Sequence, residues 1–426
     1  MQDEDASHPQ SPSNRWMATL AVVALAQAFS ACGVTLVYPF LPLYVQTLDG
    51  AQFINTELLA GLVIAAPPLM ATLSTPFWGR LADQYGRKKM VMRATFTASV
   101  ILFLMGFAQT ALVLVVLRGL QGLTSGIIAA NMALVAGECP RGRIGFALGA
   151  LQVGLFGGVA VGPIFGGVLA ENFGFQVPFL FTAIMLVLAG LLVTFGVKET
   201  YIPHKNKTLD LNPRKMLRAW GDIIKARGVK TVYALRFLNG FAQRTLMPIA
   251  PLFVLALMPT VAASGASSYA GLVLTVSSVT TTVGSLLLGW LSDKWGYRNI
   301  LLGAALVAMI FYIPQAFVTD IAQLLLFQGL AGFAAGGVLA APAALLANYT
   351  NLGDEGSVYG LDASLSSLAN GMAPLTGSII AAVLGLRAVF AAVAVYYLVI
   401  LVISWQCLPK SRRQGLAMSL SAASGD

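Results

Sequence analysis

The chain has 426 residues, 57% of them hydrophobic and 10% charged, with a mean hydropathy of +0.79 and a formal charge of +9. A soluble domain carries about 25% charged residues, so a water-soluble globule of this size is excluded. Its three cysteines, Cys32, Cys139 and Cys407, sit in or beside apolar runs. Their spacing makes neither a metal site nor a disulfide framework.

Residues 1–15 are polar and begin acidic, without the basic start of a signal peptide, and read as an N-terminal tail. Apolar segments follow at 16–46, 57–80, 91–109, 111–136, 145–170 and 176–197. After a polar stretch they resume at 231–258, 267–291, 299–318, 321–347, 357–384 and 387–408. A membrane-crossing helix needs about 20 apolar residues, and in hydrocarbon each segment must satisfy its own backbone amides. The expected fold is therefore all-α: a polytopic membrane protein of twelve transmembrane helices in two six-helix bundles, 16–197 and 231–408. Residues 198–230 link them, and 409–426 form a C-terminal tail. Within the linker, Asn212 and Pro213 read as a helix cap and first helical residue. Leu217, Trp220 and Ile224 then share a face opposite Arg218 and Lys225, which predicts a basic amphipathic helix on the membrane surface; a solvated linker is the plainer alternative.

Lysine and arginine accumulate in cytoplasmic loops. Arg15, the loops after spans 2, 4, 6 and 8, and the C-terminal tail hold 22 of the 26 basic residues, and only Arg387 lies on the opposite side. Both termini are thus expected in the cytoplasm of a bacterial inner membrane. The basic balance records topology and contact with anionic headgroups, which excludes nucleic acid as a partner.

An internal repeat appears at an offset of about 210 residues. Pro39, Pro42, Leu43 and Val45 fall on Pro248, Pro251, Leu252 and Val254; Gly79, Leu81, Asp83 and Gly86 fall on Gly289, Leu291, Asp293 and Gly296; Gly119, Leu120 and Gly122 fall on Gly329, Leu330 and Gly332. The two bundles are accordingly pseudo-symmetric, an arrangement that places transporter substrate sites between halves. Small residues line one face of spans 2, 5, 8 and 11, among them Gly154, Gly158, Gly162 and Gly166 in span 5. Such faces let backbones approach closely and suit sliding contacts between the halves.

Three motifs carry a family resemblance. They are Gly79-Arg-Leu-Ala-Asp83-Gln-Tyr-Gly86-Arg87-Lys88-Lys89, Leu117-Arg118-Gly119-Leu120-Gln121-Gly122, and Gly158-Val-Ala-Val-Gly162-Pro163-Ile-Phe-Gly166-Gly167. Here the chain resembles the major facilitator superfamily, and within it the twelve-span drug:proton antiporters. The resemblance implies a gating role for Asp83 against span 11, and a leak-blocking role for span 5, bent at Pro163 and sealed by its glycines against span 8. Gly79 and Gly86 are expected to permit a sharp turn. Arg87, Lys88 and Lys89 read either as gating residues or as topogenic charges.

Ionisable groups inside a span cost roughly 2.5–3.5 kcal/mol on insertion scales and are functional candidates. Four stand out: Arg118, Arg236, Arg244 and Asp362. Arg118, Gln121 and Ser125 share one helical face, as do Arg236, Asn239 and Gln243, and these faces are expected to line a substrate cavity with Gln27, Arg244, Gln328 and Asn370. Arg236 and Asp362 lie at similar depth, where they can pair. Asp362 is the sole deep carboxylate, so it is the expected proton carrier, with Arg118 sharing in the coupling and help from Asp83 and Glu138 near the cytoplasmic face; otherwise coupling departs from the family pattern. Three arginines against one aspartate favour neutral to anionic amphiphiles over strong cations. The expected function is export of small amphiphiles in exchange for protons by a monomer, with an uptake symporter or facilitator as the alternative. Nothing in the sequence assembles an enzyme, cofactor or metal site.

Overall fold

A computed structural model describes residues 15–50, 55–140, 143–198, 229–258, 265–349 and 355–408. The readings of the tails and of the linker helix lie outside the described residues. Span 1 is Arg15–Leu36 continued by Leu41–Tyr44, span 2 Thr56–Tyr85, span 3 Arg87–Met105, span 4 Ala111–Leu123 and Ile127–Glu138, span 5 Ile144–Phe173 and span 6 Gln176–Gly196. Span 7 is Val229–Thr245 continued by Ile249–Leu257, span 8 Ala266–Trp295, span 9 Tyr297–Gln315, span 10 Ile321–Tyr349, span 11 Glu355–Leu384 and span 12 Leu386–Cys407. Eleven of these contain a stretch long and apolar enough to cross a membrane. Span 3 is the twelfth: its first turns hold Arg87, Lys88, Lys89 and Arg93, and the rest packs against span 6.

The two bundles repeat one packing scheme. Spans 1 and 5, 1 and 6, 2 and 4, and 3 and 6 pack together, and spans 7 and 11, 7 and 12, 8 and 10, and 9 and 12 copy them. Spans 1 and 7 both break ahead of a short second helix, just where Pro39 and Pro248 stand. Between spans 2 and 3 the chain turns at Gly86 alone, at φ +100°, while Gly79 stays helical. The expected two-glycine turn is therefore a single-residue turn, and Gly296 repeats it at φ +87°.

Side chains cap the same helix ends in both halves. We call the side from which span 1 starts the terminal side and the other the far side. The last carbonyls of a helix lack internal donors, and a cation there also meets the negative end of the helix dipole. Lys88 Nζ donates to the carbonyls of Thr194 and Val197 at the end of span 6, at 2.7 and 2.6 Å. Arg298, its counterpart, donates to the Trp405 carbonyl at the end of span 12, at 2.8 Å. At the far side the donors differ. Tyr44 donates through its hydroxyl to the Met105 and Ala108 carbonyls after span 3. Phe253 stands in its place in the second half, and Arg387, over the Phe253 ring, donates instead to the Ala316 and Val318 carbonyls after span 9. This explains the lone basic residue of the far side.

Candidate functional site

The halves meet along two pairs of helices, spans 2 with 11 and 5 with 8. Glycine shows where backbones touch. A Cβ at Gly61 would overlap the Ser378 side chain, one at Gly167 the Ser267 carbonyl, and one at Gly271 the Pro163 carbonyl. All three contacts lie in the far half, where Leu43, Ala60, Leu252 and Ala266 add an apolar seal from both bundles. About five helical turns lower on the same face of span 5, a Cβ at Gly149 would meet none of the described residues within 4 Å. At the same depth of span 8 the neighbour of Gly289 is Ala340, of its own bundle. The faces that touch at the far side are parted at the terminal side, so the interior opens there.

The glycine stripe of span 5 does not form this contact. Gly154 faces the Ala24 carbonyl, Gly158 the Ala28 carbonyl, Gly162 the Thr35 hydroxyl and Gly166 the Leu36 carbonyl, all in span 1. The expected seal against span 8 is thus mostly a seam inside the first bundle, and Pro163, Ile164 and Gly167 of the motif reach across. A spacing of four selects a helix face but not the neighbour on it. Span 5 runs unbroken through Pro163.

Arg236 and Asp362 come together in the open half. Arg236 Nη2 donates to Asp362 Oδ2 at 2.6 Å and Nε to Oδ1, a bidentate pair joining span 7 to span 11. Their side chains keep 21% and 12% exposure. Gly240, one turn above Arg236, faces Ala369 of span 11, and Asn370 beside it is half-buried. Asn239 accepts from the Tyr397 hydroxyl at 3.3 Å, and Tyr397 stacks on Tyr312 with centroids 5.4 Å apart. Gln328 donates to Ser277 Oγ at 3.1 Å. Gln243 is half-buried beside the Tyr397 hydroxyl. The second bundle therefore holds a neutral amide and phenol cluster above one ion pair.

Arg118 behaves differently from expectation. It is 1% exposed, enclosed in the first bundle rather than open to a cavity, and Gln121 at 7% is enclosed with it. Its Nε donates to the Val63 carbonyl at 2.9 Å and its Nη1 to Gln121 Oε1 at 2.8 Å. The Tyr38 ring lies 5.8 Å away. Among the described residues it meets no carboxylate, so the group is a buried cation held by span 2. Ser125 does not continue its helical face, because span 4 breaks at Thr124–Gly126. Gln27 is enclosed too, paired with the Asn131 amide. Arg244 is exposed, within 3.8 Å of Met247 Sδ, and Met247 packs on the core of the first bundle.

Of the span 2–3 motif, Arg87 donates to the Ala133 carbonyl of span 4 at 2.7 Å, and Lys88 caps span 6 as above. Both tie helices within one bundle. Asp83 lies on the last turn of span 2, and its side chain is outside the described residues. Sequence reasoning missed Tyr38, Asn131, Tyr312 and Tyr397, each a polar group inside an apolar run, which is the signal that would have found them.

Twelve spans in two pseudo-symmetric bundles around an interior open to one side define a membrane transporter architecture. A model of the Major Facilitator Superfamily matches residues 23–257 and 232–418, and the chain belongs to that superfamily. It is 33% identical over 405 residues to a Multidrug resistance protein MdtG from Salmonella schwarzengrund, and 32% to that from Salmonella typhimurium; each match covers 94% of this chain and 99% of the relative. Among solved structures it resembles a bacterial homolog of the human lysosomal transporter Spinster in an inward-facing, occupied conformation, at TM-score 0.76 and 14% identity over 97% of this chain and 99% of the other. A D-xylose-proton symporter gives TM-score 0.73 at 16% identity, over 93% and 99%. At these identities the structures speak for the fold alone. The protein is a multi-pass bacterial membrane protein.

Proposed function

We propose that the chain is a multidrug exporter that moves small amphiphiles by alternating access in exchange for protons. The full-length similarity to multidrug resistance proteins supports efflux over uptake and a transporter over an enzyme. The observation that carries the mechanism is the Arg236–Asp362 pair, bidentate and partly exposed on the open side. Protonating Asp362 removes the charge that holds Arg236 and loosens span 7 from span 11, while deprotonation restores the link. That gives one proton a mechanical effect. In this reading the terminal side is cytoplasmic, as the distribution of lysine and arginine indicates, and the protein works as a monomer in the inner membrane against anionic headgroups. Asp83, Gly86, Gly167 and Pro163 act in the exchange of states. In this reading exposed Arg244 adds one positive charge beside the neutral Arg236–Asp362 pair and half-buried Gln243, which favours neutral to anionic amphiphiles, while Asn239 and Gln328 are enclosed in the second bundle.

Flux in proteoliposomes with an imposed pH gradient tests this, using chloramphenicol as a neutral compound, anilinonaphthalene sulfonate as an anion and ethidium as a cation. Acid inside is expected to drive uptake of the first two faster than the third, and Asp362→Asn to abolish the response to pH. Gradient-driven flux that survives in Asp362→Asn would clear that residue of the role, and preference for ethidium would overturn the assignment of substrate charge.

A further inference from the structure

Span 4 is broken near its middle, and its counterpart, span 10, is not. Ala111–Leu123 ends at Thr124, and Gly126, at φ +121°, starts Ile127–Glu138. A break exposes backbone carbonyls at membrane depth, which is tolerated only where something satisfies them. Side chains from spans 2 and 3 do so: Trp78 Nε1 donates to the Leu123 carbonyl at 2.6 Å and Arg93 Nη2 to that of Ser125 at 3.2 Å, while Ser74 Oγ, at 3.3 Å, adds a second donor to the Gly122 carbonyl, which also accepts the Ser125 N–H at 3.1 Å. The Arg93 guanidinium also lies 3.3 Å over the Trp78 ring, a cation–π contact that holds both donors.

The repeat supplies an internal control. At the same offset that relates the halves, Ser74, Trp78 and Arg93 become Gly284, Leu288 and Gly303. Gly126 becomes Gly336, which stays helical and packs on span 8 against the Thr281 carbonyl. The half without the break thus lacks all three donors, so break and donors go together.

Both arms pack on span 3, but their side-chain fastenings to spans 1 and 2 differ. The outer arm, Ala111–Leu123 on the far side, is held to span 2 by Arg118 on the Val63 carbonyl and by Gly122 seated on the Pro67 carbonyl, and the inner arm is Ile127–Glu138. Asn131 on Gln27 fastens the inner arm to span 1, and the Ala133 carbonyl receives Arg87 of span 3. Span 2 carries contacts to the other half, at Gly61 and at Leu69, which faces Gly371.

We propose that the Thr124–Gly126 break is a hinge, positioned by Ser74, Trp78 and Arg93, that lets span 2 and the outer arm of span 4 move as one unit against spans 1 and 3 during the transport cycle. The hinge rests on the transport reading above, so its test uses the panel compound that the unaltered protein moves fastest. Gly126→Ala forces a side chain into a left-handed backbone and favours a continuous helix. Trp78→Leu with Arg93→Gly installs the residues of the unbroken half, and Arg93→Lys keeps a donor for Ser125. Maximal flux is expected to fall about tenfold or more in the first two, the size that strain at one residue gives, with the binding constant within about twofold of the parent. Arg93→Lys should stay near the parent rate. Parent-like flux in Gly126→Ala or in the double variant overturns the hinge, as does a matched loss of binding and rate in the double variant, which would make the break part of the binding site. Failure of Gly126→Ala to fold leaves the decision to the double variant and Arg93→Lys. No flux of any compound in the unaltered protein overturns the transport reading, and the hinge with it.

Discussion

Arg236 and Asp362 stand on different helices 126 positions apart, yet the sequence already paired them by depth and opposite charge. Removing one partner leaves the other charge in a weakly screened place. For a fully buried pair the cost is about 3–5 kcal/mol; partial exposure lowers it here to roughly 1–3 kcal/mol. Arg236→Gln and Asp362→Asn should each lower melting temperature and flux, and Arg236→Asp combined with Asp362→Arg should recover part of both. A double variant no better than the singles would show that position, and not attraction, fixes these residues. Arg118 carries a different lesson. Its place in the repeat and its motif were legible, but its enclosure was not, because burial depends on which helix covers the face. Gln121, which the spacing does place on its face, and a carbonyl of span 2, which no spacing reveals, hold it.

At the scale of helices, two glycines of span 5 that look alike in sequence have opposite consequences. Gly166 sits on the Leu36 carbonyl, a backbone atom that cannot swing aside. Gly166→Ala should cost about 1–3 kcal/mol by overpacking, read as a lower melting temperature in detergent. Gly149 has open space in this state, so Gly149→Leu should melt like the parent. It should nonetheless slow flux, since the added side chain meets span 8 once the terminal side closes. Flux equal to the parent would mean that the two faces never come together there. The twelve spans, their division into two sets of six and the repeat were legible because length, hydropathy and offset are properties of the chain itself. The misreadings share one cause. Periodicity located the face of the span 5 stripe, but the resemblance set it against span 8 and the structure sets it against span 1, and the break in span 4 falls at Thr124-Ser125-Gly126 inside a span-length segment where Gly126 resembles any other packing glycine.

For the whole molecule, the far-side seal and the parted terminal side define one state of a two-state machine. Exchange requires the seal of Leu43, Ala60, Leu252 and Ala266 to open while the cleft between Gly149 and Gly289 closes. Single cysteines at Val153 and Leu286, both exposed in the terminal half of spans 5 and 8, test this in a background lacking Cys32, Cys139 and Cys407. Labelling by a maleimide in inverted vesicles should be fast for the resting protein and slow by several-fold when a bound substrate favours the other state. Equal rates in both conditions would indicate that these positions face lipid.

The exchange of Tyr44 for Arg387 as the donor to carbonyls at matching helix ends, Ala108 and Val318 being the corresponding pair, has a genetic corollary. What the two copies of the ancestral unit share is the acceptor, a pair of carbonyls at the end of one helix, while the residue that serves it has drifted to another strand of descent and another helix. A lesion at Arg387 should therefore have a suppressor that can be named beforehand: Phe253→Tyr, which returns a hydroxyl to the place Tyr44 occupies in the first copy. Arg387→Ala should yield little protein in the membrane, and adding Phe253→Tyr should raise the amount; no recovery would mean that the second copy has diverged too far for its ancestral donor to reach.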